Sequence, residues 1–128
     1  MGTYYKGGAS YHRSIGQNIM IVAESYQYAN GYFGECSPST GNRTRNISAK
    51  DNIAAAEDFY DKIAYGGIET IYDGGKRRTT HMSDGTIITM RTTSSSDGTP
   101  VVEINISKST GSGGVKKQKI HFLSEEKE

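Results

Sequence analysis

Between residues 68 and 123, apolar and polar side chains alternate in short runs (68–72, 76–82, 86–92, 101–106 and 117–123) separated by clusters of Gly, Ser and Asp. A period of two broken by turn residues predicts an antiparallel meander. Its register hinges on the Ser83-Asp84-Gly85 turn, because a slip of one residue sends every later side chain to the other face. A two-residue Asp84-Gly85 loop sets His81 opposite Ile88, among the apolar side chains. A three-residue loop with Gly85 left-handed instead pairs Met82 with Thr86, Thr80 with Ile88 and Arg78 with Met90. This second geometry is favoured because it gathers Met82, Ile88, Met90, Val102, Ile104, Ile106, Ile120 and Phe122 on one core face. Arg77, His81, Thr89, Arg91, Glu103, Asn105, Lys119 and His121 then share the opposite face. Arg78 is left on the core side, to be accommodated at the sheet end or by snorkelling.

Upstream the period changes. Ile15, Ile19, Val22, Ala23 and Tyr26 form a helical stripe, with Ser14 and Gln17 spaced as a capping box, which predicts a first helix from Ser14 to about Tyr28. Residues 30–47, NGYFGECSPSTGNRTRNI, are rich in turn formers and read as one long loop. Ser48 and Asp51 then open a second helix carrying Ile53, Ala56, Phe59 or Tyr60, and Ile63 on one face, ending near Gly66-Gly67. Residues 1–13 show no period and read as an irregular lead-in. Helices followed by strands predict one α+β domain over 1–128, with helices (14–66) packed on one face of a twisted antiparallel sheet (68–123) of four to five strands.

Composition narrows this further. A chain of 128 residues with 34% hydrophobic residues, 16 Gly, 9 Tyr and no Trp suits one turn-rich domain in which Tyr carries much of the aromatic packing. No apolar run approaches the ~20 residues of a membrane span, so no membrane insertion is expected of this segment, and the N-terminus lacks an apolar signal region. Cys36 is the only cysteine, which excludes an internal disulfide and a zinc deaminase ligand set; it reads as a free thiol in a loop. No spacing suggests a metal site, and no cofactor is implied. The segment SKSTGSGG lacks the Gly-Lys-Ser/Thr ending of a phosphate loop and reads as a hairpin tip.

Net charge is only +1, yet residues 66–123 hold eight Lys/Arg against five Asp/Glu, residues 1–65 hold six of each, and the last five residues hold one against three. The basic excess therefore falls on the predicted sheet. It is too small for a long-range nucleic-acid footprint but sufficient for a local phosphate patch. A face carrying imidazoles, guanidiniums, a lysine, a carboxylate and hydroxyls suits metal-independent RNA cleavage. There the 2′-hydroxyl is the nucleophile and the protein must supply a base, an acid and cations. His81 and His121 are the candidate base and acid, in either order. Arg91 and Lys119 would hold the phosphate, and Thr89, Thr92 or Ser96 would fix its oxygens. Glu103 is an alternative base, or orients an imidazole, and Arg77 adds positive charge. Each residue also has an ordinary reading: a surface histidine such as His12 is most simply solvated, Lys76-Arg77-Arg78 can be a turn flank, and Asp73, Asp84 and Asp97 sit where Asp stabilises turns.

The runs M-S-D-G-T-I-I-T-M-R, S-S-S-D-G-T-P-V-V-E-I-N-I and K-K-Q-K-I-H-F resemble C-terminal effector domains of bacterial polymorphic toxins. The element order is similar to that of the barnase/EndoU/colicin/RelE superfold. The resemblance implies a ribonuclease toxin acting on RNA, tRNA being a frequent target of such families. It further implies delivery at the end of a secreted or cell-surface protein, action in the target-cell cytoplasm, and neutralisation by a cognate immunity protein. Catalytic residues vary across that superfold, so the residues named above rest on face and chemistry alone. The competing reading is a non-catalytic protein-interaction module or an immunity protein, favoured by the ordinary net charge.

Overall fold

The computed structural model describes residues 2–5, 14–37, 41–92, 98–106 and 114–125, with the backbone alone at 2–5, 37, 41 and 42. Among these residues ten strands appear, in chain order β1 (Gly2–Tyr5), β2 (Tyr28–Ala29), β3 (Tyr32–Phe33), β4 (Glu35–Ser37), β5 (Gly41–Ala49), β6 (Ile68–Tyr72), β7 (Arg77–His81), β8 (Ile87–Arg91), β9 (Val101–Asn105) and β10 (Gln118–Ser124). Two helices, α1 (Ile19–Ala23) and α2 (Asn52–Ile63), interrupt them. Eight strands form one sheet in the order β1-β6-β7-β8-β9-β10-β5-β4, and β2 and β3 form a separate hairpin. The class is α+β, as the patterning predicts, but the sheet is wider than four to five strands.

The meander follows the expected register. Met82 N–H donates to Thr86 O at 2.9 Å and Gly85 N–H to Met82 O at 3.1 Å. Gly85 takes φ +90°, where a side chain is strained, so glycine sets the three-residue loop. Arg78 accordingly pairs with Met90, and Thr80 with Ile88. Met82, Ile88, Met90, Val102, Ile104, Ile120 and Phe122 are all buried on one side, against Ala56, Phe59, Tyr60 and Ile63 of α2. Phe59 sits at the centre, edge-on to Tyr26 and Phe33 with ring centroids 5.3 and 5.0 Å away, and 5.6 Å from Phe122.

Several expectations are corrected. The first helix is one 3₁₀ turn (Ile15–Asn18) and the short α1, although Gln17 does accept from the Ser14 N–H at 2.7 Å as in a capping box. Its chain leaves the helix early because Asn30-Gly31, both at positive φ, fold β2 onto β3 as a tight hairpin. The supposed loop 30–47 contains the turn and second strand of that hairpin, β4 and most of the nine-residue β5, and Cys36 lies exposed on β4 rather than in a loop. β5 pairs in parallel with β10 and escapes an alternation search because Arg45 occupies one of its core-side positions. There the guanidinium donates to Phe33 O at 2.9 Å and Gly34 O at 2.8 Å, which satisfies carbonyls of the hairpin. Ser48 belongs to β5; the cap of α2 is Asp51, whose Oδ1 accepts from Ala54 N–H at 3.0 Å. Ile53, expected on the buried stripe, is 48% exposed. Residues 2–5 of the supposed lead-in form β1, antiparallel to β6.

Arg78 stays on the core side of β7 and finds partners there. Its guanidinium bonds Glu69 at 2.7 Å and Asp61 of α2 at 3.1 Å and lies 4.8 Å from the Tyr60 ring centroid. Tyr60 in turn shares a hydrogen bond with Thr80. Burial, with the nearby Glu69 carboxylate adding, pushes the Tyr60 hydroxyl well above the ordinary tyrosine value near 10, against the lowering effect of the Thr80 bond.

Candidate active site on the open face of the sheet

The face turned away from the helices is organised in rows that cross the strands, because paired residues share a face. One row holds Ile68, His81, Ile87 and Asn105. The next holds Thr70, Thr79, Thr89, Glu103, Lys119 and Thr44. The third holds Tyr72, Arg77, Arg91, Val101, His121, Asn46 and Glu35.

A groove of about 360 Å³ is centred on the middle row, lined by Arg43, Thr44, Ile87, Thr89, Glu103, Asn105, Lys117 and Lys119 together with Ile104 and Gln118. The lining thus holds three cations, two hydroxyls, two amides and one carboxylate. Glu103 lies directly opposite both Thr89 and Lys119, so its neighbours come from β8 on one side and β10 on the other. Its Oε1 accepts from Arg91 Nη1 at 3.1 Å, with the two side chains 38% and 39% exposed, so the carboxylate is held and still reachable from solvent. A larger hollow of about 580 Å³ on the β4–β5 side carries Glu35 as its sole charged lining residue among those described. An anion therefore finds its complement in the first groove.

Of the residues named from sequence, Thr89, Arg91, Glu103 and Lys119 are brought together. His121 sits in the adjacent row, two residues beyond Lys119; it is 7% exposed and its Nδ1 is 3.0 Å from Thr99 Oγ1. His81 is exposed at the far end of β7. Three strands and four residues separate it from His121, roughly 20 Å from strand geometry, so the two imidazoles share a face but not one phosphodiester. Thr92 lies past the end of β8, its N–H bonded to Lys76 O at 3.0 Å, outside the groove lining. Arg77 stands opposite Arg91 on β7. Ser96 lies outside the described residues.

Arg43, Thr44 and Lys117 join the groove without having been singled out from sequence. The signal for Thr44 was present as the alternation of Thr44, Asn46 and Ser48 with Arg45, Ile47 and Ala49, but the parallel pairing that brings it beside Lys119 has no local signature. Among the described residues, no group of three or more His, Cys, Asp or Glu is placed to hold a metal, and no helix is long and apolar enough to cross a membrane. A scan against protein-family models, a search of curated proteins and a search of solved structures each found no match to this chain.

Proposed function

We propose that the chain is a metal-independent ribonuclease of the polymorphic-toxin effector type, with Glu103 rather than a histidine pair at its centre. The observation that carries this reading is the groove itself, in which a solvent-reachable carboxylate bonded to Arg91 shares the lining with Arg43, Lys117 and Lys119. In the reaction, Glu103 takes the proton of the RNA 2′-hydroxyl and the 2′-oxygen attacks the adjacent phosphorus. Lys119 and Arg91 face the charge that builds on the phosphoryl oxygens. As the bond to the 5′-oxygen breaks, His121 gives that oxygen a proton, leaving a 2′,3′-cyclic phosphate and a 5′-hydroxyl. A hydrogen bond to Thr99 Oγ1 holds the imidazole at Nδ1. Delivery at the end of a larger protein, tRNA as target, and an immunity protein that lays acidic side chains over the groove all belong to this reading.

Purified protein incubated with total RNA in EDTA is expected to give fragments with cyclic phosphate ends. Glu103→Gln should slow cutting by about 10²–10⁴-fold, the range of a general base. Intact RNA with the wild-type protein overturns the reading, and full activity in Glu103→Gln removes the carboxylate from the chemistry.

A further inference from the structure

Arg77 and Arg91 are directly opposed on β7 and β8. Like charges at opposed positions repel, so the pair needs compensation. Glu103 bonds Arg91 at 3.1 Å; no ion pair to Arg77 exists among the described residues. The Arg77 Nε is buried and meets no hydrogen-bond acceptor among them. At that depth Nε is out of reach of a ligand arriving from solvent, so a new partner is met by the two terminal amino groups, which also bond nothing among the described residues. The guanidinium is nonetheless not loose: it lies 4.0 Å from the centroid of the Tyr72 ring, its cross-strand partner on β6. Stacking on an aromatic face fixes the guanidinium plane while leaving its terminal amino groups free to donate, an arrangement suited to phosphate.

We propose that Arg77, propped on Tyr72, is a second phosphate-binding point, taking an RNA backbone phosphate upstream or downstream of the one cleaved beside Glu103. The assignment rests on reading the open face as an RNA surface. Arg77 is two strands and one row from Glu103, about 12 Å by strand geometry, with Arg91 between them. An oligonucleotide crossing the strands from Lys119 past Arg91 therefore reaches Arg77 with another of its phosphates. A dinucleotide, with a single phosphate, does not.

Calorimetric titration with uncleavable 2′-O-methyl oligouridylates separates the possibilities. The hexanucleotide is expected to bind the wild-type protein more tightly than the dinucleotide. Arg77→Gln should weaken the hexanucleotide about tenfold and leave the dinucleotide unchanged. It should also lower the slope of log affinity against log salt by about 0.7, the loss of one single-strand phosphate contact. Tyr72→Phe keeps the ring and should match wild type, whereas Tyr72→Leu should weaken the hexanucleotide as Arg77→Gln does. Equal affinity for the two lengths, an unchanged salt slope in Arg77→Gln, or no binding of either oligonucleotide overturns the phosphate site. If the expected pattern appears while unmodified RNA stays uncut, the site stands and the ribonuclease reading falls. If RNA is cut and Arg77→Gln binds as wild type does, the reverse holds.

Discussion

Arg77 and Arg78 are neighbours in the chain and opposites in the fold. Arg78 points to the helix side, where Glu69 and Asp61 both bond it and the Tyr60 ring covers it. Arg77 points to the open side, where it and Arg91 have one carboxylate between them. The pleat makes the first a component of the core and leaves the second with charge to spare. Residue type and sequence proximity thus say little about role; the number of carboxylates on each face decides it. A face whose positive charge is not matched by carboxylates among the described residues is complementary to an anion.

Removing one carboxylate from each side tests the contrast. Glu69→Ala leaves a largely buried guanidinium with only the outer Asp61 contact, and should lower unfolding free energy by about 3 kcal/mol in urea titrations. Glu103→Gln, at a half-exposed pair, should change it by less than ~1 kcal/mol. Equal losses would mean the two faces are not distinct in the way the ion pairs suggest. An effect between these two lies at Tyr60. Its hydroxyl keeps its proton in the folded state at pH values where an unfolded tyrosine, titrating near 10, has lost it, so the folded state binds more protons and stability falls as pH rises above about 10. Tyr60→Phe should cost ~1 kcal/mol at neutral pH through the lost Thr80 bond, and should flatten the alkaline decline measured by thermal melts. Smallest of all, His81→Ala should leave both stability and RNA cleavage near wild type, in contrast to His121→Ala, which should depress cleavage. Loss of activity in His81→Ala would return that imidazole to the chemistry.

The meander was legible because Ile, Val and Met alternate with polar residues there and Gly85 punctuates the register. β5 was not, since a buried Arg45 breaks the apolar pattern and its partner lies at the other end of the chain. The β2–β3 hairpin was readable in principle: Asn30-Gly31 between Tyr28-Ala29 and Tyr32-Phe33 is a strong turn signal, outweighed by the turn formers that follow it. For the candidate site, alternation placed Thr89, Arg91, Glu103 and Lys119 on one face correctly. It could not supply distances, because two residues on one face lie side by side or three strands apart depending on strand order, and His81 and His121 are the second case.

The pairing of β10 with β5 also has a kinetic side. Glu103 and Thr89 stand on strands joined by short connections, whereas Arg43 and Thr44 reach the groove only when β5 finds β10 across the whole meander. Contacts of such long sequence separation carry the greater loop-closure cost and tend to form late. Glu103, Arg91, Lys119 and His121 are thus assembled by the meander itself, whereas Arg43 and Thr44 on β5 arrive only with the least local pairing in the sheet, so a chain that has folded its meander holds the reacting groups but lacks one wall of the groove.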